Sequence, residues 1–212
     1  MKNWGKIDRW TALVVLALGV ALVAATIFES GVDSVVVNRD RYLASNTSIL
    51  ISGLLLLPAA GTLYLSFRAS NQGLALMGLL GFSAAGLIFL TAATSGLAVH
   101  ELSKSIASPE DFATFGVSAQ AMALMRQFAL IAGLTAIAFG LAGFGLLMLR
   151  KPLGHMWLGW QAIGTAILTP FMWISPTESP LWTVGYPAFA SLLLWFLFVG
   201  VWMGRRAHKA IV

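Results

Sequence analysis

With 212 residues, 58% of them hydrophobic and only 10% charged, the chain falls far outside the range of soluble domains, where about a quarter of residues are charged. That length holds about six membrane crossings and little else. A net charge of +5 would suit nucleic acid, but the basic residues sit at the edges of apolar runs rather than in a patch, and the lack of cysteine excludes disulfides, thiolate metal sites and thiol catalysis.

Lys2, Lys6 and Arg9 precede an apolar run that ends at Phe28. The run is long for a signal-peptide core and has no convincing small-residue cleavage site, so it is expected to be a retained membrane helix over 10–28. Ala17, Ala21, Ala24 and Ala25 give it a small-residue face. A polar segment follows, and a second helix is expected over 47–67, with Asn46, Thr47 and Ser48 as capping candidates. Pro58 lies near its centre and should kink it, which reads either as a static bend or as a cavity opened at the freed Leu54 carbonyl.

The turn from Arg68 to Gln72 leads into a third helix over 73–99, whose second half carries Thr91, Thr94 and Ser95. These hydroxyls can bond the carbonyl one turn back, or they can line a binding cavity. The fourth helix is announced by Ser108, Pro109, Glu110 and Asp111, which place a capping hydroxyl, a first-turn proline and carboxylates at the positive end of the dipole. Its membrane part is expected over 120–149. The uncharged run from Gln127 to Leu149 would span roughly 35 Å at about 1.5 Å per residue. Ala129, Gly133, Ala136, Gly140 and Gly143 recur at helical spacing and should form a face for close packing against another helix.

A fifth helix is expected over 153–174 and a sixth over 181–203, with Pro170 and Pro187 bending them. Trp195 lies deep in the sixth, within an apolar run that lacks small residues; lipid is the default neighbour, with a lipophilic ligand or a partner subunit as alternatives. The fold class is therefore all-α, a single polytopic membrane bundle of six transmembrane helices over 1–212. With both termini on one side, that side collects nine of the thirteen Lys and Arg, which places both termini in the cytoplasm.

Few residues could carry chemistry. No Asp, Glu, Lys or His lies deep within an apolar run, which argues against a proton-coupled pump, and the three histidines are too dispersed to hold haem or a metal. No cofactor is expected. The acids near His100 and Glu101 are those that any such topology leaves on the outer face. Arg126, at the outer edge of the fourth helix, should snorkel to the headgroups, pair with Glu101 or Asp111, or contact an anionic ligand or partner.

Three stretches, Arg41-Tyr-Leu-Ala-Ser-Asn46, the Arg68-to-Gly73 turn and Arg150-Lys-Pro-Leu-Gly154, resemble an uncharacterised bacterial family of six-helix membrane proteins, catalogued as a domain of unknown function. The resemblance implies six helices with cytoplasmic termini in a bacterial inner membrane, and carries no activity or site residue. The first helix also superficially resembles the docking helix of substrate-binding subunits in vitamin importers. Three functional readings follow, the last and least supported being a membrane enzyme with a metal or acid–base site on the outer face, built from His100, Glu101, Glu110 and Asp111 with Glu29, Asp33 and Asp40. The first is a non-enzymatic accessory or scaffold subunit that contacts the lipid bilayer and partner membrane subunits, with no nucleic acid involved. The second is a binding or transport component for a small lipophilic solute. Arg126, Pro58, Thr91, Thr94, Ser95 and Trp195 are the candidate functional or interface residues.

Overall fold

In the computed structural model, residues 4–28, 38–104, 109–150, 156–173 and 182–209 are described; the side chains of 4–6, 109–114, 172–173, 182–186 and 209 are not. The described residues are all helical apart from turns and caps. They form α1 (Trp4–Ile27), α2 (Arg39–Phe67), α3 (Gln72–Ser103), α4 (Pro109–Met148), α5 (Met156–Leu168) with a 3₁₀ extension (Thr169–Trp173), and α6 (Trp182–Lys209).

Local chemistry sets several of these boundaries. Asn38 caps α2, its side chain accepting a hydrogen bond from the Arg41 backbone N–H at 3.2 Å. The cap was expected at 46–48, eight residues later. Asn46 instead lies inside the helix, where its amide is free for another use. Asn71 caps α3 by accepting from the Leu74 N–H at 2.9 Å. Helix α4 begins at Pro109, as its start signature suggests, and so extends well beyond its apolar run. Helix α5 is shorter than expected. Pro170 has no N–H to continue the α-helical ladder, and the chain tightens into a 3₁₀ turn while Thr169 returns its hydroxyl to the Thr165 carbonyl at 2.7 Å.

Among the described residues, five helices are long and apolar enough to cross a membrane: α1, α2, α3, α4 and α6. Helix α5 falls short of that length on its own, so length and composition support five of the six expected spans.

Each helix packs on the next in sequence, and α6 returns to pack on α1, so the six make a closed up-and-down ring. The antiparallel register is visible in the glycine contacts. A Cβ at Gly53 would approach the Gly86 carbonyl at 2.9 Å, one at Gly78 the Phe144 ring at 2.6 Å, and one at Gly200 the Leu16 side chain at 2.6 Å. On α4, Gly133 takes the Phe89 ring of α3 and Gly140 takes that of Phe82, so its small-residue face is the seam with α3.

The axis of the ring is filled rather than open. Phe67 of α2, Phe82 of α3, Phe144 of α4, and Trp195 and Phe196 of α6 are fully buried. Phe82 meets Phe144, Trp195 and Phe196 at centroid distances of 5.3, 6.1 and 5.5 Å, and Phe67 meets Phe144 at 5.9 Å. Tilted and edge-on pairs of this kind add about 0.5–1.5 kcal/mol each beyond area burial. The outer surface is the inverse of a soluble protein's. Leu13, Leu54, Leu80, Phe128, Trp160 and Val201, one from each helix, are all exposed. Apolar side chains turned outward all round the ring need an apolar solvent.

Candidate functional site

Two clusters of buried polar groups lie at opposite ends of the bundle, with a polar seam between α5 and α6. At the end where α1 starts and α6 finishes, Asp8 is 2% exposed. Its Oδ2 pairs with Arg206 Nε at 3.3 Å, and its Oδ1 accepts from the Ser66 hydroxyl at 3.2 Å. Arg206 also sits 6.0 Å from the Trp202 ring centroid, and Trp202 stacks on Phe67. Three helices thus meet on one carboxylate. In the seam, Gln161 donates to the Ser191 carbonyl at 3.0 Å, Thr165 and Ser191 share a hydroxyl bond of 2.7 Å, and Trp195 Nε1 donates to the Leu158 carbonyl at 3.1 Å. Trp195 is therefore an internal strut and not a lipid-facing ring. Its indole N–H finds the α5 backbone, which is what allows so large a polar-tipped side chain to sit at 0% exposure.

The far end holds the richer cluster. Arg126 projects from α4 toward α2 and is 9% exposed. Its Nε donates to Asn46 Oδ1 at 2.9 Å, and Asn46 Nδ2 donates in turn to the Tyr42 carbonyl at 2.9 Å. Gly96 of α3 makes this possible, because a Cβ there would collide with the Asn46 amide. Arg126 thus neither snorkels nor pairs with the acids expected for it. Glu101 is exposed and bound to Lys104 at 2.7 Å, and Asp111 lies about 22 Å away along the same helix. Tyr42, Ser45 and His100 are buried as well; Ser45 is one residue before Asn46, His100 is one helical turn beyond Gly96, and Tyr42 lies within electrostatic reach of Arg126. Among the described residues, Tyr42 OH, Ser45 Oγ, His100 Nδ1 and Arg126 Nη2 find no well-formed hydrogen bond, although Tyr42 OH lies close to the Asn46 amide. An apolar collar of Val99, Phe115 and Ala119 packs on Tyr42. Ser103 ties the α3 end down, its hydroxyl donating to the His100 carbonyl at 2.7 Å while its own carbonyl accepts from Arg39 at 3.2 Å.

The remaining sequence candidates lie elsewhere. Thr91, Thr94 and Ser95 turn their hydroxyls back to carbonyls of α3, at 3.2, 3.0 and 2.9 Å. Pro58 is on the exposed side of α2, and the carbonyl it frees belongs to the equally outward Leu54. A shallow groove of about 550 Å³ runs along the outer surface between α3 and α4, floored by Gly81, Ala84, Ala132 and Ala136 and walled by Leu80 and Phe139. Among the described residues, no three His, Asp or Glu side chains come together as a metal site.

Sequence reasoning missed Asp8, Tyr42, Ser45 and Asn46 as cluster members and grouped His100 with the outer-face acids rather than with Arg126. Their one signal was position, since each lies within a turn or two of a span edge, where a polar residue is unremarkable.

The apolar all-helical bundle fits a multi-pass integral membrane protein. The chain matches no family model, no curated protein and no solved structure.

Proposed function

We propose that the protein is a non-enzymatic accessory or scaffold subunit of a larger assembly in a bacterial inner membrane, with six spans and both termini cytoplasmic. The filled axis carries this reading. A solute carrier needs an internal path between alternating openings, whereas here buried aromatic rings from four helices occupy the terminal half of the ring. The hydroxyls of Thr91, Thr94 and Ser95 are bound within their own helix, which removes the support they lent to a lipophilic-solute site. As for α5, its 13 α-helical residues rise about 20 Å and its five 3₁₀ residues about 10 Å, together close to the thickness of a hydrocarbon core. The α3–α4 groove, floored by small residues and open to the plane of the membrane, is the seat we assign to a partner's transmembrane helix.

Purification in a mild detergent followed by native electrophoresis tests the reading. Stoichiometric co-purifying subunits, lost when exposed Ala84 is replaced by Trp to block the groove, are the expected result. A monodisperse monomer would overturn the accessory role. A small apolar molecule bound to that monomer would restore the solute reading.

A further inference from the structure

Arg126 is, among the described residues, a buried cation without a counter-charge. Among the described residues, both ion pairs lie elsewhere, between Lys104 and Glu101 and between Arg206 and Asp8. Removing a guanidinium from water without an anion costs several kcal/mol. One neutral hydrogen bond to Asn46 offsets little of that, and Nη2 is left with nothing.

Three of the other orphaned atoms, all at this end of the bundle, share a character with Nη2. The hydroxyls of Tyr42 and Ser45 can each donate a proton, and His100 Nδ1 carries one in one tautomer or when the ring is charged. Donors gathered at the level of a single positive charge are complementary to an oxyanion with several acceptor oxygens. The Asn46 amide cannot turn away to serve them. It is pressed against the α3 backbone at Gly96 and already spans Arg126 and the Tyr42 carbonyl.

Depth narrows the choice of anion. Arg126 lies about 33 Å along α4 from Met148, and Asn46 about 32 Å along α2 from Phe67. A hydrocarbon core is about 30 Å thick, so the cluster stands at the level of one leaflet's headgroup phosphates.

We propose that Arg126, Tyr42, Ser45 and His100 form a binding site for a phosphate group, presented either by a phospholipid headgroup or as free phosphate. The site is independent of the accessory role and would exist in a lone subunit.

The full chain, solubilised and washed free of lipid, provides the test through its melting temperature. Inorganic phosphate is compared with chloride at equal ionic strength, and phosphatidylglycerol with a phosphate-free galactolipid. A rise of several degrees with phosphate over chloride assigns the site to the free anion. A rise only with phosphatidylglycerol over the galactolipid assigns it to the headgroup. In either case the Tyr42→Phe and Ser45→Ala variants should lose at least half of the rise, and the exposed-site control Thr47→Ala should keep it. Arg126→Gln should abolish it, but that change also strands Asn46, so the two hydroxyl variants decide. No rise with either phosphate source, an equal rise with chloride or galactolipid, or a full rise in the Tyr42→Phe/Ser45→Ala double variant would overturn the site.

Discussion

Asp8 and Arg206 contribute unequally to their contact. The aspartate side chain is 3% exposed and the arginine side chain 37%, so the acid is held inside while the base still reaches water or headgroups. Removing the base leaves a buried carboxylate with only Ser66 to stabilise it, and stranding a buried charge typically costs about 3–5 kcal/mol. Removing the acid frees an arginine that can swing outward, at a cost closer to that of a partly exposed pair, about 1 kcal/mol. Thermal unfolding in detergent should therefore place Arg206→Gln well below Asp8→Asn. Equal losses, or the opposite order, would mean that Asp8 is solvated after all. Neither member of this pair was distinguishable in the sequence. An acid that flanks an apolar run reads the same whether it faces headgroups or a helix two hundred residues away, and only the packed ring separates the two. The same blindness hid Asn46, which reads as a cap because Asn commonly caps helices and because the residue that needs its carbonyl, Arg126, belongs to another helix.

At the scale of the helix pair, α3 and α4 touch through backbone. A Cβ at Gly81 would run into the Gly140 amide and the Ala136 carbonyl, neither of which can move aside as a side-chain tip can. Gly81→Ala should cost roughly 1–3 kcal/mol, the usual range for overpacking. Gly61 in α2 is the matched control, because a Cβ there meets nothing within 4 Å. Gly61→Ala should be neutral or stabilise by up to about 1 kcal/mol through reduced freedom of the unfolded chain. Comparable losses in the two variants would show that the α3–α4 seam is looser than its geometry. This seam was legible in the sequence, since Gly133, Ala136, Gly140 and Gly143 fall on one helical face and only small residues permit such an approach. Helix α5 was legible in place but not in length. Its apolar run continues past Thr169, and the effect of Pro170 on the last turn depends on what the freed carbonyls find.

At the scale of the whole molecule, the apolar runs placed the described helices in order along the chain, whereas nothing in them specified a ring closed between α1 and α6. Closure can be trapped chemically. A Cβ at Gly204 would lie 3.7 Å from that of Ala12, inside the 3.5–4.5 Å span typical of a disulfide. The chain has no native cysteine, so the Ala12→Cys/Gly204→Cys double variant should cross-link α1 to α6 on mild oxidation, visible as a mobility shift after cleavage of an intervening loop. Failure to form under oxidant would open the ring. The same cysteine-free background tests the proposed orientation. Single cysteines at Ser34, Ser105 and Thr177 should react with an impermeant maleimide added to intact cells, and one at Ser70 should react only after lysis. Reaction at Ser70 in intact cells would invert the topology.

The meeting of Asp8 with Arg206 also sets an order in time. During synthesis α1 leaves the ribosome before the other described helices, and Ser66 follows early enough to hydrogen-bond Asp8 well before Arg206 is made. The arginine arrives on the order of 10 s after Ser66 at ordinary elongation rates. Until then a carboxylate waits at the membrane edge without its cation, and α1 has no α6 to cover its flank. A truncated or stalled chain is thus marked by an uncompensated charge that a finished one hides, a physical difference that membrane quality control could read.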